Sequence, residues 1–202
     1  MNCEIGATCK SGFKSQQPQI ILSSDLMKLI VARHGETIEN VKGISTGHLP
    51  GTLTERGIRQ ARVLGTKLKR EKIDAIYSSD LRRASETAKE ISLKLGIPVN
   101  YTKELRERNF GELQGKKGGP TLKSAFPMSF EPKNAESLSH LNGRIRRFLA
   151  DVVKKHKNDT VLFVTHGGVM HVLQAIAEKK TLEQLRASPR RKNIDFAVFE
   201  FN

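Results

Sequence analysis

The stretch Lys28-Leu29-Ile30-Val31-Ala32-Arg33-His34-Gly35-Glu36-Thr37 decides how the rest of the chain is read. Its first half is a short apolar run rich in branched residues, the pattern of a buried strand. Its second half turns abruptly polar, with a base, an imidazole, a glycine and an acid in succession. The same change of character returns near the other end. Thr160-Val161-Leu162-Phe163-Val164 reads as a second buried strand and runs into Thr165-His166-Gly167-Gly168.

Helices and shorter strands fill the space between. Thr54 can cap a helix in which Ile58, Ala61, Leu64, Gly65 and Leu68 share one face. Ala75–Tyr77 reads as a strand. Ser79 or Asp80 then caps a helix with Ala84, Ala88, Ile91 and Leu95 in register, stopped by Gly96 and Pro98. Val99–Tyr101 reads as a strand, and Leu138, Leu141, Ile145, Phe148 and Val152 mark a long amphipathic helix. A helix through Val169, Leu173 and Ile176 follows the second His-Gly turn. Thr181 and Gln184 form a capping box for a last short helix, and Asp195–Phe201 reads as a final strand. Strands separated by helices predict an α/β domain in three layers, α/β/α, around a mainly parallel sheet. The stretch 111–133, rich in Gly and Pro, breaks this rhythm and reads as a long binding loop or lid.

A chain of 202 residues has room for one domain with a real core. The domain is expected over 27–202, with 1–26 as a loosely ordered tail and Met27 directly before the first strand. No apolar run approaches the roughly 20 residues of a membrane-spanning helix, so no membrane partner is expected. Residues 1–26 lack the basic start and apolar run of a signal peptide. Cys3 and Cys9 are the only thiols, with no second pair to make a zinc site. Together these features predict a cytoplasmic protein. The net charge of +14 suits anionic partners such as nucleic acid or phosphorylated metabolites. Aromatic residues make up only 5% and Trp is absent, which argues against base-stacking platforms.

In an open α/β sheet, ligands bind beyond the carboxyl ends of the strands. Polar groups gather at four such ends here: Arg33-His34-Gly35-Glu36, Ser79-Asp80-Leu81-Arg82-Arg83, Arg106-Glu107-Arg108 and His166-Gly167-Gly168. Each group alone has an ordinary explanation as a hydrogen-bonded histidine or a solvated helix face. Jointly they describe an anion pocket, with backbone N–H groups at a helix start and bidentate arginines.

The chain resembles the histidine phosphatase superfamily, the phosphoglycerate mutase-like proteins. The resemblance rests on Arg33-His34-Gly35-Glu36-Thr37 with Asn40, on Leu53-Thr54-Glu55-Arg56-Gly57-Ile58-Arg59-Gln60-Ala61 and on Ser79-Asp80-Leu81-Arg82-Arg83-Ala84 with Thr87-Ala88. It continues through Leu105-Arg106-Glu107-Arg108-Asn109-Phe110-Gly111, Glu136-Ser137 and Val164-Thr165-His166-Gly167-Gly168. These blocks stand in family order over nearly all of 27–202. The resemblance implies a phosphoglycerate mutase-like fold. It implies that His34 is the nucleophile, that Arg33, Arg83 and His166 grip the phosphoryl oxygens, and that Glu107 protonates the leaving oxygen. Arg83 is chosen over Arg82 because it precedes Ala84, matching the family's Arg-Ala step. Asn40, Thr46, Gly47 and Gly167 would add phosphate or substrate contacts. No metal and no cofactor are expected, because the cations do the work a metal does elsewhere.

Family mutases carry a longer insertion after the glutamate, with an Arg-Arg pair. This chain has Lys116-Lys117 and a short Gly/Pro loop, and it has Glu39 and Phe110 where mutases tend to have Trp and Tyr. It also has Pro50 where many relatives have Asp. The expected activity is therefore hydrolysis of small phosphorylated metabolites. A bisphosphoglycerate-dependent mutase is the alternative, and a non-enzymatic anion or nucleic-acid binding module a remote third reading.

Overall fold

In the computed structural model the opening apolar run forms β1 (Met27–Arg33). The structure describes residues 26–118, 133–181, 184 and 196–202. After β1 come α1 (Ile38–Val41), α2 (Glu55–Leu68), β2 (Ala75–Ser79), α3 (Arg82–Leu95) and β3 (Val99–Thr102). Then come α4 (Leu138–Lys155), β4 (Thr160–Thr165), α5 (Gly167–Ala177) and β5 (Phe196–Phe201). The sheet order is β3-β2-β4-β1-β5. All neighbours are parallel except β5, which runs antiparallel along β1. The expected three-layer α/β/α architecture with a mainly parallel sheet is what the chain forms.

Two cores sandwich the sheet. Leu64 and Leu68 of α2 pack with Ala88 and Ile91 of α3 against Ile30, Ile76, Leu162 and Val164 on one face. Leu141, Ile145 and Leu149 of α4 and Val169 and Leu173 of α5 cover Leu29, Val31, Val161 and Phe163 on the other. Each such buried aliphatic side chain contributes roughly 1.5–3 kcal/mol. Because β1 and β4 are buried on both faces, they read as unbroken apolar runs rather than alternating ones.

β1 and β4 lie side by side, with Arg33 opposite Thr165. The chain leaves β1 toward the layer of α2 and leaves β4 into α5 on the opposite layer. A crevice opens where neighbouring strands send their connections to opposite faces. His34 and His166 stand at that point.

Several local expectations change. The first residue outside α3 is Leu81, with no side-chain cap, rather than Ser79 or Asp80. The Asp80 carboxylate is taken by Arg106, with both oxygens at 2.6 Å, and the Ser79 hydroxyl accepts the Leu81 N–H. The short helix α1 was not expected. Its cap is a capping box between Thr37 and Asn40. The capping box between Thr181 and Gln184 forms, with contacts of 2.8 and 3.2 Å. The rest of that last helix, residue 195, the tail up to residue 25 and positions 119–132 of the long loop lie outside the described residues. Within the part of that loop that is described, Lys117 bridges to Ile44. Among the described residues no helix is long and apolar enough to cross a membrane.

Candidate active site

Beyond β1 the backbone turns at His34 and Gly35. The N–H of Gly35 donates to Thr87 Oγ1 of α3 at 3.0 Å, and the Thr87 hydroxyl donates to the Arg83 carbonyl. On its other side the turn rests on the start of α2. Thr54 caps α2 through the Gly57 N–H and donates its hydroxyl to Glu36 Oε1 at 3.0 Å. Gln60 Oε1 accepts the Glu36 N–H. A Cβ on Gly57 would stand 2.1 Å from the Glu36 carbonyl oxygen, so only glycine allows this backbone approach. The block Leu53–Ala61 thus buttresses the turn that carries His34.

His34 is buried. Its Nδ1 lies 2.8 Å from the Gly35 carbonyl oxygen, which can only accept, so Nδ1 carries the proton. The lone pair of the neutral ring is then on Nε2, where it accepts the Nε–H of Arg83 at 3.3 Å. Burial, and then the charges of Arg83 and Arg33, hold this imidazole well below its ordinary 6.5, against a weaker opposing pull from the Gly35 carbonyl.

Arg83 is itself buried, and burial lowers its pKa to about 10. Its guanidinium is braced by the turn at 47–50. Nη1 donates to the carbonyls of Leu49 and Pro50, and Nη2 to that of Gly47 at 2.8 Å. Together with the bond to His34, this leaves one Nη2 hydrogen for a ligand.

His166 is the residue before α5 and is fully buried. Its ring centroid is 5.3 Å from that of His34. Nε2 lies 2.9 Å from Ser79 Oγ, while Nδ1 is buried with no hydrogen-bond partner among the described residues. Burial first, then Arg83, His34 and Arg33, hold it well below 6.5 too. Arg33 is half-buried. Its Nε would lie 3.9 Å from a Cβ on Gly167, and its charge acts on both imidazoles and on Arg83.

The Glu107 carboxylate is held by two backbone N–H groups, from Arg108 at 2.9 Å and from Gly168 at 3.1 Å. A Cβ on Gly168 would fall 2.3 Å from Glu107 Oε1, so the second glycine after His166 makes room for the acid. The structure thus brings His34, Arg33, Arg83, His166, Glu107 and Gly167 to one end of the sheet. Thr46 and Gly47 join them through the turn that braces Arg83. Asn40 Oδ1 accepts the Thr37 N–H in the capping box of α1.

Sequence reasoning gave no role to several supporting residues. His48 donates from Nε2 to the Glu107 carbonyl at 2.8 Å, and Gln114 Oε1 accepts the His48 N–H. Thr87 and Gly168 stand in the sequence only as parts of motifs, and Ser79 as part of a motif and a candidate helix cap. Each makes a contact across a long sequence separation, Ser79 with the His166 ring, Thr87 with the Gly35 N–H and Gly168 with the Glu107 carboxylate, and such contacts leave no periodic signal. Among the described residues no group of three or more His, Cys, Asp or Glu side chains is placed to hold a metal ion.

A buried neutral imidazole with one nitrogen locked and the other facing cations can accept an electrophile whose charge those cations bear. Transferring phosphoryl groups have that character.

Comparison with known proteins agrees in fold and in family. The chain is 36% identical over 169 residues to "Putative phosphoserine phosphatase 2" of Hydrogenobacter thermophilus, covering 79% of this chain and 83% of that protein. It is 35% identical over 164 residues to "Metal-independent phosphoserine phosphatase" of Arabidopsis thaliana, covering 75% and 69%. A solved mycobacterial glucosyl-3-phosphoglycerate phosphatase in complex with VO3 superposes with a TM-score of 0.75 at 28% identity, covering 85% of this chain and 91% of that one. The family model of the histidine phosphatase superfamily (branch 1) matches residues 29–202, the span that contributes His34 and His166, and the chain belongs to that superfamily.

Proposed function

We propose that this chain hydrolyses small phosphorylated metabolites through a phosphohistidine on His34, with Glu107 as general acid and base. The observation that carries the reading is the ring of His34, held neutral with its Nε2 lone pair among cations.

The reaction has two steps. The Nε2 lone pair of His34 attacks phosphorus while the bond to the ester oxygen breaks. Protonated Glu107 gives its proton to the departing oxygen, and the alcohol leaves. A water molecule then attacks the phosphohistidine. Glu107, now a carboxylate, takes the water proton as the P–N bond breaks and Nε2 recovers its pair. Inorganic phosphate leaves with His34 neutral again.

Arg33, Arg83 and His166 bear the charge of the three equatorial oxygens. The remaining Nη2 hydrogen of Arg83 suits one of them. Nδ1 of His166, buried without a partner among the described residues, suits another if Nε2 accepts the Ser79 hydroxyl proton. Thr46, Gly47, Gly167 and Asn40 are assigned to substrate contact. The catalytic domain is assigned to 27–202 and the protein to the cytoplasm. The +14 charge raises the local concentration of anionic substrates.

No metal is needed in this scheme, because guanidinium groups supply the charge a divalent ion would supply. A relative bears the word metal-independent in its name. The test is phosphate release over a panel of sugar phosphates, phosphoglycerates, phosphoserine and nucleotides with chelator present. Interconversion of 2- and 3-phosphoglycerate is scored in parallel. Release of phosphate that His34→Ala abolishes is the expected result. Isomerisation without release would make the chain a mutase, and no turnover with salt-sensitive retention of nucleic acid would make it a binding module.

A further inference from the structure

Glu107 sits on backbone that has no regular structure of its own. After a single 3-10 turn at Lys103–Leu105, residues 106–110 belong to no helix or strand. Buried backbone polar groups must still find partners, and here side chains from elsewhere supply them. Thr165 at the end of β4 donates its hydroxyl to the Leu105 carbonyl at 2.8 Å. His48 donates to the carbonyl of Glu107. The positions on either side of Glu107 are held by Glu136 and Arg144.

Arg144 projects from α4. Through Nε and Nη2 it grips both oxygens of Glu136, at 3.0 and 2.9 Å. Its Nη1 donates to the carbonyls of Glu104 and Arg106, the latter at 3.1 Å. Glu136 holds the other side. Its carbonyl accepts the Nε–H of Arg108 at 2.5 Å, its N–H donates to the Asn109 carbonyl at 2.9 Å, and its Oε2 accepts the Asn109 N–H at 3.4 Å. The two side chains are only 12% and 9% exposed. Ser137, the next residue, caps α4, so the clamp is anchored at the start of a helix of 18 residues. Exposed ion pairs contribute little, whereas a buried, bidentate pair wired to two stretches of backbone fixes geometry.

We infer that the Glu136–Arg144 pair is a positioning clamp that sets the reach of the Glu107 carboxyl to the leaving oxygen. The inference rests on the proposed role of Glu107 as the acid. Neither residue touches the reacting atoms in this scheme. Both act through the backbone before and after Glu107. A displacement of about 1 Å in a proton donor costs on the order of 100-fold in rate. The loss is confined to substrates that need the proton.

The experiment compares kcat/KM for an alkyl phosphate, glycerol 2-phosphate, with kcat/KM for 4-nitrophenyl phosphate. This parameter covers only the steps up to cleavage of the P–O bond, and nitrophenolate leaves without help from an acid. The variants are Glu136→Gln, Arg144→Lys and Glu107→Gln. Both substrates are measured on one preparation, so the ratio does not depend on the folded fraction. Glu107→Gln is expected to lower the alkyl-to-aryl ratio by about 10²- to 10³-fold. Glu136→Gln and Arg144→Lys are expected to lower it by about 10- to 100-fold. If Glu107→Gln lowers the ratio and both clamp variants leave it at the wild-type value, the clamp is overturned and the acid stands. If Glu107→Gln itself leaves the ratio unchanged, the acid assignment falls and the clamp falls with it.

Discussion

Nε of Arg83 lies 3.3 Å from Nε2 of His34, so a buried guanidinium donates into the lone pair to which the proposed mechanism assigns the attack on phosphorus. The bond does two things in the resting enzyme. It selects the tautomer that leaves Nε2 unprotonated, and it turns the ring toward the cation to which the proposal assigns the phosphoryl charge. Arg83 can do this because three carbonyls of the 47–50 turn fix its other nitrogens.

Replacement of His34 by Ala removes the proposed nucleophile without touching the packing of β1. Phosphate release is expected to vanish, with no acid-labile phosphoenzyme, while the thermal unfolding transition stays cooperative. Residual turnover near the wild-type rate would mean that another group attacks phosphorus.

Arg83→Lys keeps a charge and loses the fork. Lysine cannot bond to His34 and three carbonyls from one planar group. The expected loss is 10²-fold or more in kcat/KM, by analogy with removal of a fixed charge donor, roughly 3 kcal/mol in the barrier. A further cost of about 2–4 kcal/mol in folding stability is expected from the stranded carbonyls. Steady-state kinetics and denaturant unfolding measure the two separately.

Acid should destabilise the fold in a window set by imidazoles held below their ordinary pKa, His34 and His166 foremost and His48 beside them. Burial and neighbouring charge hold His34 and His166 well below 6.5 when folded. In the unfolded chain both take up protons as pH falls through about 6.5. The unfolded state then binds more protons, so stability is full above about pH 6.5 and declines below it. The slope approaches about 2.7 kcal/mol per pH unit for two such groups. Melting temperatures between pH 7.5 and 5.5 should fall more gently in His166→Gln than in the wild type. Parallel slopes would remove His166 from the account. Over the same window His34 stays neutral, so kcat/KM should show no break at 6.5 from it.

A methyl group at Gly168 would stand 2.3 Å from Glu107 Oε1 and must push the carboxylate aside. Gly168→Ala is expected to cut kcat/KM for an alkyl phosphate about 10- to 100-fold while sparing the aryl ester. Equal losses on both substrates would point to damage at the phosphate site instead.

Gly57→Ala tests the buttress. The added carbon meets the Glu36 carbonyl, which is backbone and cannot swing away. A cost of about 1–3 kcal/mol in stability is expected, together with lower turnover, because the His34 turn must shift. Denaturant midpoints and kcat on one preparation would reveal it, and an unchanged midpoint would show that the contact yields at no cost.

The sheet was legible because β1 and β4 are covered on both faces, which leaves Leu29–Ala32 and Val161–Val164 uniformly apolar. The two His-Gly turns followed from those strands. Glu107 stood out only as part of a charged strand end, and its role came through a family motif, since irregular backbone held by Glu136, Arg144, Thr165 and His48 has no period to read. The cap of α3 was misread for a related reason. Asp80 has good capping chemistry, but its carboxylate is committed to Arg106, a residue a strand away. A four-residue helix such as α1 is too short to show a hydrophobic face.

Arg33 and Thr165 are opposite each other on the last rung shared by β1 and β4, and His34 and His166 are the residues that follow each strand. A slip of one residue between these strands would carry His34 and His166 about 3.3 Å out of step and turn every side chain of the slipped strand to the other face. Enzymatic turnover is therefore an assay of correct strand alignment: a refolding population that is collapsed yet mispaired at this one ladder would be catalytically silent.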